Sequence, residues 1–167
     1  MLKKITRKIK ELGIDIEYGF FDGYGFFGIE DDKPILFIDE RLNKIETSLT
    51  LLHETAHFLN GDCDKYITNH FQNDNLEFEA NKYMIQEVMK LLDEKYEFTP
   101  ETNYQKIIDS LNLPYYLDGI IIDEFNNIIA DKFGITHYYE TDYFYEMWKG
   151  KILSGWTNTR ILGICWC

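Results

Sequence analysis

The chain is short of the features that would carry it out of the cytosol or onto nucleic acid. No apolar run follows the lysines of MLKKITRKIKELG, so the N-terminus does not read as a secretory signal. No stretch approaches the ~18 consecutive apolar residues that a membrane-spanning helix needs. Cysteine is scarce and odd in number, with only Cys63, Cys165 and Cys167. That pattern reads as reduced, cytosolic thiols and not as a disulfide framework. Positive charge is outnumbered, 17 Lys and Arg against 29 Asp and Glu, which leaves a formal net charge of −12. Phosphate binding relies on clustered Lys and Arg, so direct nucleic-acid binding is not expected. The basic residues Lys3, Lys4, Arg7, Lys8 and Lys10 read as the solvated face of one helix. There is no internal repeat and no low-complexity linker.

What is present suits one compact domain: 167 residues, 45% apolar and 16% aromatic, enough for a sizeable core. Leu2, Ile5, Ile9 and Leu12 share a face and predict a short helix over residues 2–12, with Gly13 able to end it. Ile14 to Tyr18 alternates at period two, as a half-buried strand does. Tyr24 to Glu30 is aromatic and broken by glycine. Asp31-Asp32-Lys33-Pro34 makes a turn and Ile35 to Ile38 a second strand, and the two strands look like a hairpin. From Lys44, Ile45, Leu49, Leu52, Ala56 and Leu59 recur at three- and four-residue steps and predict a helix closed by Gly61. A second strong helix is expected from about Asn75 to Leu92. Thr99-Pro100-Glu101 carries a helix-start signal, a cap followed by proline and an acid, and helical segments are expected to Lys132.

The chemistry concentrates in His53-Glu54-Thr55-Ala56-His57, an HExxH motif. Residues four apart lie one turn apart on the same helix face, so both imidazoles can point at one metal ion. The residue after the first histidine projects about 100° around the helix, where a glutamate can act on a water without joining the ligands. A catalytic zinc site needs a third protein ligand and an open position. Two glutamates compete for that place. Glu77 shares its face with Asn81, which suits a hydrogen bond to a histidine ligand from behind. Glu79 points the other way and its i+4 neighbour is Tyr83. Glu77 is therefore preferred, with Glu79 as the fallback. A His-His-Glu set suits Zn2+ but would accept manganese, iron or cobalt. Glu54 would then serve as general base and acid in metal-assisted hydrolysis, and His137 or a tyrosine as oxyanion donor. Asp62, Cys63, Asp64 and His70 fall between the two helices and read as a solvated loop at the cleft rim, not as a second metal site. Cys165 and Cys167 are too few to form one.

LLHETAHFL, an EFEANKYM segment about twenty residues on, and a preceding hairpin that ends in FIDERL together resemble the ImmA/IrrE family of metallopeptidases over roughly residues 14–90. The chain differs from the family pattern at Ala56, where glycine is common, and lacks a Met-Pro after the glutamate helix. The resemblance implies an α+β, minimal zincin-like fold: a small twisted antiparallel or mixed sheet packed on the HExxH helix and the glutamate helix. Residues 1–95 would form this core. Residues 96–167, mostly helical and aromatic, would pack on it as part of a single domain. The resemblance also implies a cytoplasmic bacterial or phage endopeptidase that cuts a helix-turn-helix repressor, with His53, His57 and Glu77 as ligands and Glu54 as the catalytic acid. The alternative is a metal-bearing, anti-repressor-like protein that binds such a partner without cutting it.

Overall fold

The computed structural model describes residues 1–62 and 70–134. Its elements run in the order α1 (Leu2–Glu11), β1 (Asp15–Gly19), β2 (Gly25–Glu30), β3 (Lys33–Asp39), α2 (Lys44–Asn60), α3 (His70–Tyr96), α4 (Tyr104–Leu111), a single 3-10 turn (Tyr115–Leu117) and α5 (Asp118–Phe133). The architecture is the expected α+β, a small mixed sheet with helices. The described residues divide into two compact units, the first ending at Met84 and the second starting at Ile85, so the boundary falls inside α3.

In the first unit the sheet order is β1-β3-β2. β3 pairs parallel with β1 and antiparallel with β2, so the hairpin expected of the strands at 14–18 and 35–38 is instead made by β3 with β2, the strand between them. The β2–β3 hairpin closes through Asp31 and Asp32, both at positive φ (48° and 61°). Left-handed residues at both central positions match the right-handed twist of the strands, and aspartate tolerates that conformation. The glycine-broken segment before the turn is a full strand and not an irregular approach to one. Its glycines let it lie close: a Cβ on Gly25 would sit 2.6 Å from Thr50 Cγ2 and 2.7 Å from the Phe37 carbonyl oxygen. Phe27, Leu36 and Ile38 are buried in the sheet, with Leu49, Leu51, Leu52 and Ala56 buried on α2. Phe27 also meets Phe58 edge-on at 5.6 Å. Leu59, expected on the apolar face of α2, is exposed instead.

The FIDERL segment has a mechanical role. The Asp39 carboxylate accepts from the Arg41 backbone N–H at 2.8 Å and from Arg41 Nε at 2.9 Å. The Arg41 guanidinium also donates to the Phe21 carbonyl at 2.7 Å. One buried aspartate therefore ties the end of β3 to the loop between β1 and β2. The Arg41 hydrogen bonds hold the Asp39 carboxyl below the usual carboxylate range.

The second unit is helical. Val88, Met89, Phe98, Ile108, Ile121, Phe125 and Ile129 are buried in it. Lys132 Nζ donates to Asp93 at 2.7 Å and to the Phe98 carbonyl at 3.0 Å, which ties α5 to the end of α3. The helix start expected at Thr99-Pro100 lies elsewhere. Thr99 and Thr102 close a turn on each other, and α4 begins at Tyr104 under an Asn103 cap. Threonine's hydroxyl found a turn partner locally, and asparagine is the stronger cap.

Gly25→Ala is expected to cost about 1–3 kcal/mol, because an extra methyl must be forced between β2 and α2. Gly28→Ala is the control, since its Cβ would meet nothing nearer than 3.7 Å. Urea unfolding of the two variants checks the contrast; equal stability would show that the close approach is not real.

Candidate metal centre

The site begins with how α2 is held. Asn43 accepts from the backbone N–H groups of Ile45 (2.8 Å) and Glu46 (3.1 Å), while Glu46 returns a bond to the Asn43 N–H at 2.9 Å. This capping box fixes the start of the helix. Gly61, left-handed at φ 62°, closes it as expected. Between the caps every residue from Thr47 to His57 is buried.

His53 and His57 project from the same face, their rings 4.9 Å apart and at 78° to each other. The Nε2 atoms are 3.2 Å apart. Glu77 reaches the pair from α3: its Oε2 lies 3.2 Å from His53 Nε2 and its Oε1 3.5 Å from His57 Nε2. Its side chain is 15% exposed. Among the described residues this is the group of three whose donor atoms could hold a metal ion. Two ligands each about 2.1 Å from a tetrahedral centre lie about 3.4 Å from one another. The observed 3.2–3.5 Å spacings fit that triangle.

Charge leads to the same place. Glu54 is buried next to His53, and Asp62, also buried, lies 3.1 Å from His57 Nδ1 through its Oδ2. Three carboxylates thus surround two imidazoles in a dry environment, where uncompensated charge is costly. A divalent cation would offset it. A proton would offset it only in part. Burial lowers the His53 pKa, but the Glu77 hydrogen bond and the charges of Glu54 and Glu77 outweigh it and raise the value above that of an ordinary histidine. His57 goes the other way: burial and the neighbouring His53 charge lower it, against the pull of Glu77 and Asp62. One imidazole holds a proton readily and the other resists one.

Of the two glutamates, Glu77 faces the histidines and Glu79 is exposed to solvent. Asn81, one turn after Glu77, is buried beside His53 and favours its protonated form. Ala80 between them is fully buried. His137, Cys63, Asp64, Cys165 and Cys167 lie outside the described residues. Asp62 corrects the sequence reading. It is not part of a solvated rim but a buried neighbour of His57. The signal was an acid directly after the helix-closing glycine, and it was read as loop composition.

A family model described as the IrrE N-terminal-like domain, Peptidase_M78, matches residues 9–112, more than half of the chain. No curated protein and no solved structure matches it.

A metal ion at this centre must compete with the proton on His53. Because that pKa is raised, the proton is held below it and released above it, so metal affinity should fall as pH drops, beginning above the ordinary value of about 6.5. Zinc competition against a chromophoric chelator from pH 8 to pH 5.5 measures this. A flat profile would contradict the buried, proton-sharing pair.

Proposed function

We propose a reading that proceeds from one premise: the chain belongs to the Peptidase_M78 family of IrrE N-terminal-like metallopeptidases. On that premise it is a zinc-dependent endopeptidase in which His53, His57 and Glu77 hold the ion and Glu54 moves the protons. The observation that carries this is the convergence of three donor side chains at tetrahedral spacing, with Glu54 buried on the adjoining face. Zinc, when bound, lowers the pKa of water towards neutrality and polarises a carbonyl. The remaining work falls to the chain's own groups.

Glu54 is one residue after His53, so the helix turn that aims the imidazole carries this carboxylate about 100° aside. There it can accept a proton from the attacking water and deliver it to the departing amine nitrogen, one group serving as base and then as acid. Asn81, buried beside His53, is placed to steady it from behind, as outer groups commonly steady a histidine ligand. The substrate we favour is a helix-turn-helix repressor of a phage or mobile element. What supports this is the likeness of LLHETAHFL, EFEANKYM and FIDERL to the ImmA/IrrE pattern.

Glu54→Gln separates cutting from binding. The variant is isosteric and leaves the three donors in place, so zinc content should be unchanged. Cleavage of a co-expressed helix-turn-helix repressor should fall by at least about 10²-fold. Full release of the repressed genes by this variant, with the repressor intact, would sink the peptidase reading and favour a partner that acts by binding alone.

A further inference from the structure

A metal-binding imidazole must offer a lone pair, so its other nitrogen has to carry the hydrogen. At His57 one residue enforces this. Asp62 Oδ2 lies 3.1 Å from His57 Nδ1, and both residues are buried. A carboxylate accepts, so the ring donates from Nδ1 and keeps its lone pair on Nε2, the atom that faces His53 and Glu77. Asp62 holds the same residue a second time, for its backbone N–H donates to the His57 carbonyl at 3.0 Å. The main chain and the ring of His57 are thus fixed by one neighbour five positions on.

What returns Asp62 to the helix it has just left is Gly61. Its φ of 62° and ψ of 45° turn the chain back, and its N–H donates to the Phe58 carbonyl at 3.1 Å. A Cβ at Gly61 would meet nothing within 4 Å among the described residues. Glycine is therefore required by the backbone conformation and not by lack of room. A cap of this kind ordinarily only satisfies the last carbonyls of a helix. Here it also delivers a buried carboxylate to the second histidine of the motif.

We propose that the Gly61-Asp62 cap of α2 is a working part of the metal centre, with Asp62 as the positioning residue that sets the tautomer and ring orientation of His57. This rests on the metal-centre reading given above. It assigns the turn a role in affinity that its place outside the HExxH motif does not suggest. It also explains why the carboxylate is buried, for an aspartate after a helix-ending glycine would otherwise face water.

The test compares Asp62→Asn, Asp62→Ala and Gly61→Ala with the wild-type chain, using zinc alone as the ligand. Chelator competition gives the affinity. Long-range nitrogen-15 spectra of the metal-free protein report which His57 nitrogen carries the hydrogen, a readout that a purely structural role would not move. The proposal expects Nδ1–H in the wild type. It expects loss of that preference and about 10- to 100-fold weaker zinc binding in Asp62→Ala. The isosteric Asp62→Asn, whose amide oxygen still accepts, should recover part of both. Gly61→Ala should weaken zinc binding in the same direction. Wild-type affinity and an unchanged tautomer in Asp62→Asn and Asp62→Ala would overturn it, and if the alanine variant does not fold, the asparagine variant decides on the same two readouts. His53→Ala separates the two levels. Zinc binding lost there but intact in the Asp62 variants sinks only the role of Asp62; zinc binding intact in all of them sinks the metal centre as well.

Discussion

Two imidazole nitrogens held 3.2 Å apart in a buried site, with a carboxylate closing the triangle, are the constraint around which the first unit is built. The arrangement is unfavourable by itself. Each group gives up water, and all three offer lone pairs to the same point. Only a cation makes it favourable, whether a proton shared unequally by the histidines or a metal ion that uses all three donors. The same neighbours pull the two histidines apart, His53 up through its Glu77 hydrogen bond and His57 down through burial and the His53 charge.

The surrounding structure reads as what is needed to hold those groups against their preference to separate. The Asn43–Glu46 box and the Gly61 turn fix the two ends of α2. The close approach of Gly25 to Thr50 seats the helix on the sheet. The Asp39–Arg41 clasp ties the sheet's end to the loop before β2, so the surface on which α2 rests is itself braced. Burial of Glu54 and Asp62 then places one carboxylate where protons could be moved and another where a histidine can be aimed. The two acids have similar burial and different geometry, and geometry separates their roles.

The site was more legible in the sequence than the fold around it. His53, Glu54 and His57 lie within one and a half helix turns, so local periodicity alone sets their relative directions. Glu77 needed one further step, the face it shares with Asn81, and that too is a helical argument. Helix ends were readable where the signal is local, in the backbone freedom of Gly61 and near Lys44. Other features depended on packing that periodicity does not encode. β2 is a strand because Gly25 allows it to lie on α2, although glycine argues against strands in isolation. Leu59 matched the apolar spacing but is exposed. The start of α4 moved from Thr99 to Asn103 because two threonines paired with each other. Asp62 was missed because its role appears only once the left-handed turn folds it back on His57.

The central claim is a metal ion held by two imidazoles and one carboxylate. X-ray absorption at the zinc edge of the zinc-loaded full chain tests it most directly. The account predicts a first shell of light atoms only, nitrogen and oxygen at about 2.0–2.1 Å, with the outer-shell scattering of two imidazole rings. A sulfur shell at about 2.3 Å, which would bring in the cysteines in place of this triangle, would contradict it.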